Sequence, residues 1–462
     1  MFLSWAGYAA IGIFIAAYIL FAWKEEKKTW VAAGCSLLGL GVVAVASMQG
    51  VALSASLSAC TLFGYYPHGS PWHLCGAPGG FIEWDTLGLL LGLFLLAALL
   101  NRLKVFQYVA IRLADWSDGR PYHLFLVMSF LSFALSAFIN SITVMVVLAT
   151  ITIEVARALG TSPVNLLLAE ISCSNVGGAA TFVGDPPNVI LGTYFGLGFD
   201  QFLVYAAPLA LGSLVVTLLG FGLLHRREAK EFEARGLTEK LAEERKVAVE
   251  LPPLPQLDRT RVALAVGAFA GTIGLLAVNI YIPPSVGEIG LIGALLALLV
   301  AGRSGWKELL KGLDWATLGF FFFLFLLVGI LDLTGVIGAV AQGLGSIGGR
   351  NVLLLASVML WSLGLLSSVV DNVPLAAAAA PIIAHISATP GGPPVGAMVY
   401  ATAVGTDVGG NGTPIGASAN VVGLAVARKA GVNVSWGTYI VRAFPVMVGG
   451  LAAANIVLLF WH

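Results

Sequence analysis

Hydrophobic residues along this chain come in long blocks with short polar interruptions, and the block lengths match bilayer crossings. A helix needs about 20 apolar residues to span the hydrocarbon. Residues 5–23, 31–49, 84–100, 165–194, 202–224, 262–280, 289–301, 315–331, 396–429 and 436–460 are candidate spans. Two of these, 165–194 and 396–429, are too long and too rich in glycine for one straight helix. Two further apolar stretches, 123–156 and 352–386, carry polar residues at their centres. A block of that shape suits a helical hairpin that enters and leaves the membrane on one side. The pattern predicts an all-α polytopic membrane protein with ten full spans, two of them interrupted, and two re-entrant hairpins.

The strongest single feature is an internal repeat. Trp84-Asp85-Thr86-Leu87-Gly88 matches Trp315-Ala316-Thr317-Leu318-Gly319, and Phe94-Leu95-Leu96 matches Phe325-Leu326-Leu327. The hairpin centre Phe138-Ile139-Asn140-Ser141 falls opposite Val369-Val370-Asp371-Asn372. Residues 177–184 (GGAATFVG) match 409–416 (GGNGTPIG), and Asn188 aligns with Asn420, all at an offset of 231 or 232. Basic residues in short loops mark the cytoplasmic side. Lys24, Lys27 and Lys28 place the first connection inside, as do Arg102, Lys104, Arg112 and Arg120 for a later one, and Arg303, Lys307 and Lys311 for a third. Trp84 then enters from outside and Trp315 from inside, so the halves are inverted copies. Inverted repeats with interrupted helices at matching positions are the signature of secondary transporters with a site near the midplane.

Composition agrees. Of 462 residues, 58% are hydrophobic and 10% charged, against about 25% charged in soluble domains. So few charges cannot cover a water-facing surface, which excludes a soluble enzyme, a nucleic-acid binder and a disordered scaffold. Lys+Arg and Asp+Glu each total 24, but residues 225–261 alone hold nine basic and eight acidic side chains. The chain divides into an N-terminal repeat (1–224), a charged cytoplasmic linker (225–261) and a C-terminal repeat (262–462), with both termini outside. Within the linker, 226–246 suits a solvated helix with i,i+4 ion pairs. Cys35 and Cys173 read as small packing residues. Cys60 and Cys75 share one polar loop and are a disulfide candidate where it faces an oxidising compartment. The same loop holds His68 and His73, so a zinc site is the alternative reading there, although Cys60, His68, His73 and Cys75 as a set are spaced more loosely than zinc ligands usually are. No cofactor, and no metal beyond a transported sodium ion, is implied.

The segment 174–188 cannot be an ordinary helix. Paired glycines lower helix propensity, and Pro186-Pro187 remove donors and push Asp185 out of the α region. Carbonyls freed by such a break are tolerated in a membrane only where buried or lining a cavity. Close-packing glycines with a structural kink would explain one copy, but not two in register with Asn and Thr at matched points. Carbonyls, hydroxyls, amide oxygens and a carboxylate are also the hard ligands a small cation needs. The candidate ion-binding set is Asn140, Ser141 and Thr143 with Asp371 and Asn372 at the hairpin centres. Asn175, Thr181, Asp185 and Asn188 join it from the first break, and Asp407, Asn411, Thr413, Ser418 and Asn420 from the second.

Intramembrane carboxylates are functional candidates by default. Asp185, Asp371 and Asp407 lie in the polar motifs, and Glu170 precedes the first by one to two turns; these four are the proton-carrier candidates. Glu154 and Asp332 fall near span ends and read as interfacial. The repeat mates of Asp185, Asp371 and Asp407 are Ala417, Asn140 and Asn175, so charge is split unequally between the halves. No Lys or Arg falls at the centre of a span. Acid without matching base favours a cation and a proton over a di- or tricarboxylate, although helix N-termini can hold an anion without basic side chains. Burial and a bound cation act in opposite directions on a carboxyl's proton, a physical basis for exchange.

The strings 177–190 (GGAATFVGDPPNVI), Asp371-Asn372-Val373-Pro374 and 409–422 (GGNGTPIGASANVV) resemble the ion transporter superfamily. The likeness is nearest to NhaD-type sodium/proton antiporters and the melanosomal P protein, with ArsB-type arsenite pumps more distant. That resemblance implies an inverted-repeat, usually dimeric transporter with elevator-like movement. It also implies cation sites formed by the Asn140 and Asn372 tips with the Thr181 and Thr413 loops. Related proteins often carry Asp-Asn at the first tip, where this chain has Asn140-Ser141, one carboxylate fewer. The expected function is sodium (or lithium)/proton antiport in the inner membrane. Alternatives are an arsenite or antimonite exporter, a sodium-coupled di/tricarboxylate importer and an anion channel. An ATP-driven pump is disfavoured because the one long soluble block lacks a phosphate-binding loop.

Overall fold

The computed structural model describes residues 3–23, 27–53, 59–63, 80–117, 121–158, 162–234, 254–349 and 351–461. The N-terminal half runs α1 (Trp5–Trp23), α2 (Lys28–Met48), a short α3 (Ala59–Phe63), α4 (Trp84–Arg102), α5 (Val105–Trp116), α6 (Pro121–Ser136), α7 (Ser141–Ala158), α8 (Val164–Gly178), α9 (Pro186–Phe195) and α10 (Phe199–Ala234). The C-terminal half repeats this order without a counterpart of α3. It comprises α11 (Arg259–Ala277), α12 (Val286–Lys311), α13 (Trp315–Leu333), α14 (Val336–Gly348), α15 (Val352–Ser367), α16 (Asn372–Ser387), α17 (Gly396–Gly409), α18 (Ser418–Lys429) and α19 (Trp436–Trp461).

Among the described residues, seven helices are long and apolar enough to cross a membrane: α2, α4, α10, α11, α12, α13 and α19. The 19-residue apolar α1 and the interrupted pairs α8/α9 and α17/α18 complete the expected ten. Each interruption has a local cause. The first run stops at Gly178, and Asp185, held extended at φ −124° and ψ 156° ahead of Pro186, caps the start of the next. The prolines then start α9 where their missing N–H is not needed. In the second copy a 3-10 turn at Gly410–Gly412 and an extended Thr413 separate α17 from α18. The hairpin helices α6, α15 and α16 have 16 residues each, about 24 Å at 1.5 Å per residue. That is less than the hydrocarbon thickness of about 30 Å, so α6/α7 and α15/α16 turn back inside it.

The halves are inverted. The start of α4 lies beside the middle of α13 and the residues just before it lie beside the second half: the Trp84 and Phe322 rings are 6.2 Å apart, and Gly329 backs onto the Phe81 ring. The halves also exchange partners, because α2 packs along α13 while α12 packs along α4. The second contact is backbone to backbone, since a Cβ at Gly92 would overlap the Gly290 carbonyl. The long helices α10 and α19 pack together across the pseudo-twofold. Large apolar side chains on the perimeter, such as Leu219, Val441 and Phe460, are exposed and form the lipid-facing surface.

Two elements go beyond the sequence expectation. The stretches after α4 and α13 read as connections, yet each forms an amphipathic helix, α5 or α14, of 12 or 13 residues. Each follows a left-handed corner, Lys104 (φ 60°) in one half and Gly335 (φ 79°) in the other. The linker is also partly an extension of a span, for α10 runs on without a break to Ala234. Cys35 and Cys173 are buried free thiols. Cys75, His68, His73 and the Cys60 side chain lie outside the described residues, and the disulfide and zinc readings lie there with them.

Candidate functional site

Each hairpin tip is fastened to the break of its own half by paired bonds. Thr181 Oγ1 donates to the Ala137 carbonyl, and Thr413 Oγ1 donates to the Ser368 carbonyl. Asn188 Nδ2 bridges the first break, donating to the Gly178 carbonyl at 3.0 Å and the Thr181 carbonyl at 2.6 Å. Asn420 Nδ2 does the same for the second, reaching Gly410 at 2.7 Å and Thr413 at 2.8 Å. Carbonyls that a continuous helix would pair internally thus find a side-chain donor instead of water. The tips come close because a small residue faces them: a Cβ at Gly177 would overlap the Phe133 carbonyl, and one at Gly409 the Gly364 carbonyl.

The two breaks meet each other as well. Asn175 Nδ2, on α8, donates to Asn411 Oδ1 at 2.8 Å and to Asn420 Oδ1 at 2.9 Å. The amide orientation is forced. Asn420 spends its own Nδ2 on the break carbonyls, and Asn411 Nδ2 donates to the Ser172 carbonyl at 3.3 Å. Both therefore present oxygen to Asn175. The pseudo-twofold maps Asn175–Asn420 onto Asp407–Asn188, and α17 packs on α9 as α8 packs on α18. In that second crossing the matching bond is not made among the described residues. Asp407 Oδ2 and Asn188 Oδ1 are both buried without a hydrogen-bond partner, as is Asn175 Oδ1.

The carboxylates fall into distinct settings. Asp185 is buried and accepts from the Ser141 backbone N–H at 3.0 Å through Oδ1. Asp407, also buried, accepts from Asn372 Nδ2 at 2.6 Å. Asn140 Oδ1 accepts from the Ile142 backbone, and Asp371 Oδ1 from the Val373 backbone, the same tip cap in both halves. Ser418 Oγ donates to Asp371 Oδ2 at 3.1 Å. Glu170 is fully buried and accepts from Thr152 Oγ1, and its Oε2 has no partner. It lies outside the tip-and-break cluster. Thr143 is half-buried in α7 and makes no hydrogen bond to the cluster among the described residues. Glu154 is exposed on α7, while Asp332 Oδ1 pairs with His385 Nε2 at 2.8 Å.

One expectation is corrected. The sequence reading has acid without a matching base, with Lys28 as a marker of the cytoplasmic side. Instead Lys28 Nζ lies 3.7 Å from Asp371 Oδ2 and donates to Ser418 Oγ at 3.4 Å. It starts α2, and the exchange of helices between halves delivers it to a tip far along the sequence.

A cavity of about 490 Å³ opens between α4/α13 and α9/α16, lined by Glu83, Asp85, Tyr194, Phe325, Asp332 and Pro381 among others. Among the described residues its lining carries three carboxylates and no Lys or Arg. It reaches α16 at its middle, at Ala377, Ala380 and Pro381.

Comparison with known proteins agrees in kind. A family model described as Citrate transporter (CitMHS) matches residues 18–405. An uncharacterized transporter of Mycobacterium bovis is 32% identical over 451 residues, covering 97% of each chain. The P protein of Mus musculus is 29% identical over 452 residues, covering 83% of this chain and 54% of its own. Among solved structures, the YdaH transporter of Alcanivorax borkumensis aligns with a TM-score of 0.54 at 16% identity, over 94% of this chain and 98% of its own. MtrF of Neisseria gonorrhoeae aligns at 0.56 and 15% identity, over 93% and 94%. At that identity the two structures speak to the fold alone, while the family match covers most of the chain. The chain is thus a polytopic secondary transporter, and it belongs to the citrate transporter (CitMHS) family of the ion transporter superfamily.

Proposed function

We propose that the chain exchanges a small monovalent cation, sodium or lithium, for protons across the inner (plasma) membrane. It does so as a homodimer with elevator-like movement, its termini outside and residues 225–261 in the cytoplasm. Repeats 1–224 and 262–462 each supply one hairpin tip and one break. The observation that carries this reading is the crossing without its matching bond. Asp407 Oδ2 and Asn188 Oδ1 are buried acceptors without partners, on helices that pack together. Unpaired polar atoms cost several kcal/mol away from water. A proton on Asp407 supplies the missing hydrogen, and a cation between the oxygens satisfies both without one. A centre that accepts either, and not both together, is the minimum an antiporter needs. Asp185, Asp371 and Glu170 are the further proton-carrier candidates, and the Asn, Thr and Ser groups complete the cation's shell. The carboxylate-lined cavity favours approach by cations over anions.

Everted vesicles test this. Addition of sodium or lithium is expected to dissipate a preset pH gradient in vesicles with the protein and not in those without. Absence of cation-dependent proton movement refutes the proposal. Labelled citrate uptake in its place would favour the carboxylate importer, and arsenite resistance in a sensitive host the exporter.

A further inference from the structure

The Lys28 ammonium lies against the C-terminal tip with loose geometry. Its contacts to Asp371 Oδ2 and Ser418 Oγ are 3.7 Å and 3.4 Å, against about 2.7–2.9 Å for a well-seated charge-assisted bond. The Phe320 ring faces it at 5.1 Å. A cavity of about 30 Å³ joins Lys28, Asp371, Phe320 and Tyr18, and the buried Tyr18 hydroxyl has no partner. The other Asp371 oxygen is committed to capping α16 through the Val373 N–H. The oxygens that the ammonium meets, Asp371 Oδ2 and Ser418 Oγ, are therefore those a small cation would take.

The arrangement belongs to one half only. Asn140 and Pro186 are the mates of Asp371 and Ser418. Thr29 lies against Gly319 as Gly287 lies against Gly88, which makes Val286 the mate of Lys28. The base also sits on a different body from the acid. α2 is bonded along α13, Thr29 Oγ1 to the Ala316 carbonyl at 2.6 Å and Ser36 Oγ to the Phe323 carbonyl at 2.8 Å, whereas Asp371 and Ser418 start α16 and α18. From Phe320 beside Lys28 to Asp332 in the large cavity, α13 runs 12 residues, about 18 Å.

We infer that Lys28 is a tethered cation: it fills a second cation site, Asp371 Oδ2 with Ser418 Oγ, until the transported cation displaces it. This rests on the cation-exchange reading and adds a site to it. Displacement releases the tip from α2 and α13, coupling occupancy to movement of the tip. The Lys28 side chain keeps 17% of its surface exposed, so the displaced ammonium has a route to water.

The primary test reads binding, not transport. Purified full-length protein is treated with an amine-reactive reagent in sodium, lithium or choline buffer of equal ionic strength, and labelling of Lys28 is followed by mass spectrometry. Sodium or lithium is expected to raise the Lys28 rate about threefold or more, as a population shift requires, with Lys307 as an unaffected reference. Equal rates in all buffers overturn the inference. In vesicles, Lys28→Gln is expected to lower the KM for the cation about tenfold, because the competing state is removed, with a smaller change in kcat. Lys28→Arg is expected to keep KM at or above wild type. A purely structural Lys28 would leave the Lys28→Gln KM unchanged or raised, and either result also overturns the inference. Lys28 released by sodium in a protein that moves no protons would sink the antiport reading and leave the site standing.

Discussion

Replacing Asp407 by Asn should make the protein more stable and inactive at once. In the present structure Asp407 Oδ1 accepts from Asn372 Nδ2 at 2.6 Å, and Oδ2 has no donor. An asparagine keeps the first bond and presents Nδ2 where Oδ2 was. Its repeat mate shows the outcome, because Asn175 Nδ2 already donates to Asn420 Oδ1 at 2.9 Å. The equivalent acceptor, Asn188 Oδ1, is buried and unpaired. Asp407→Asn therefore offers the unpaired Asn188 Oδ1 a donor from the helix packed against it, and removes a buried carboxyl. One restored bond contributes about 0.5–1.5 kcal/mol, and relief of an unpaired buried acceptor about 1–3 kcal/mol. A net gain of about 1–3 kcal/mol is expected. The assay pairs an apparent melting temperature in detergent, without sodium or lithium, with cation-driven proton movement in everted vesicles. The expected result is a raised melting temperature and no exchange. A lowered melting temperature refutes the pairing of Asp407 with Asn188, and wild-type exchange removes Asp407 from the mechanism.

Asn188→Ala and Asn420→Ala each free two break carbonyls, but the second also orphans an Asn175 N–H, so it should be less stable by about 1–3 kcal/mol; equal melting losses would contradict the crossing described above. Gly409→Val should prevent the α15–α17 approach, since even its Cβ overlaps the Gly364 carbonyl, and loss of folded yield on size-exclusion chromatography checks it. Thr181→Ala and Thr413→Ala each remove a tip-to-break bond, about 0.5–1.5 kcal/mol, and should speed amide exchange at the matching tip; unaltered exchange in both would show that the tips are held by other contacts.

The parts of the fold legible in the sequence are those with local causes. Pro186-Pro187 after paired glycines, and hairpin halves too short to cross, announce themselves within a dozen residues. The repeat then doubles the signal. The amphipathic helices α5 and α14 escape because both are too short for a span, and α14 is further masked by four glycines that lower its helix propensity. Their shared left-handed corner is disguised as well, with glycine at 335 but lysine at 104. For the site, residue types are legible and pairings are not. Asn175, Asn411 and Asn420 stand out as polar residues in apolar blocks, yet only the meeting of two helices 245 positions apart shows which amide faces which. Lys28 is the sharpest miss. It sits 390 positions from Ser418 in a loop that reads as a topology marker, and nothing local says that helix exchange carries it to a tip.

Comparing the halves with each other separates scaffold from chemistry. The bonds that close each break, from Thr181 and Asn188 or from Thr413 and Asn420, are the same in both. Among the mates that differ are Asn140/Asp371, Asn175/Asp407 and Asp185/Ala417, and at each of these three a carboxyl appears in one half only. A symmetric centre would bury twice as many carboxyls in one low-dielectric space, where each unpaired charge is costly. Dividing them leaves room for neutral amides on the helices packed against the acids, as Asn188 is on the helix packed against that of Asp407, and for one base, Lys28, at 3.7 Å from Asp371 Oδ2. On this argument the duplication supplies the geometry twice and the charge once. A variant that restored symmetry by adding charge, Ala417→Asp or Asn175→Asp, should fold less well than one that restores it by removing charge, and their expressed yields in the same host would rank them.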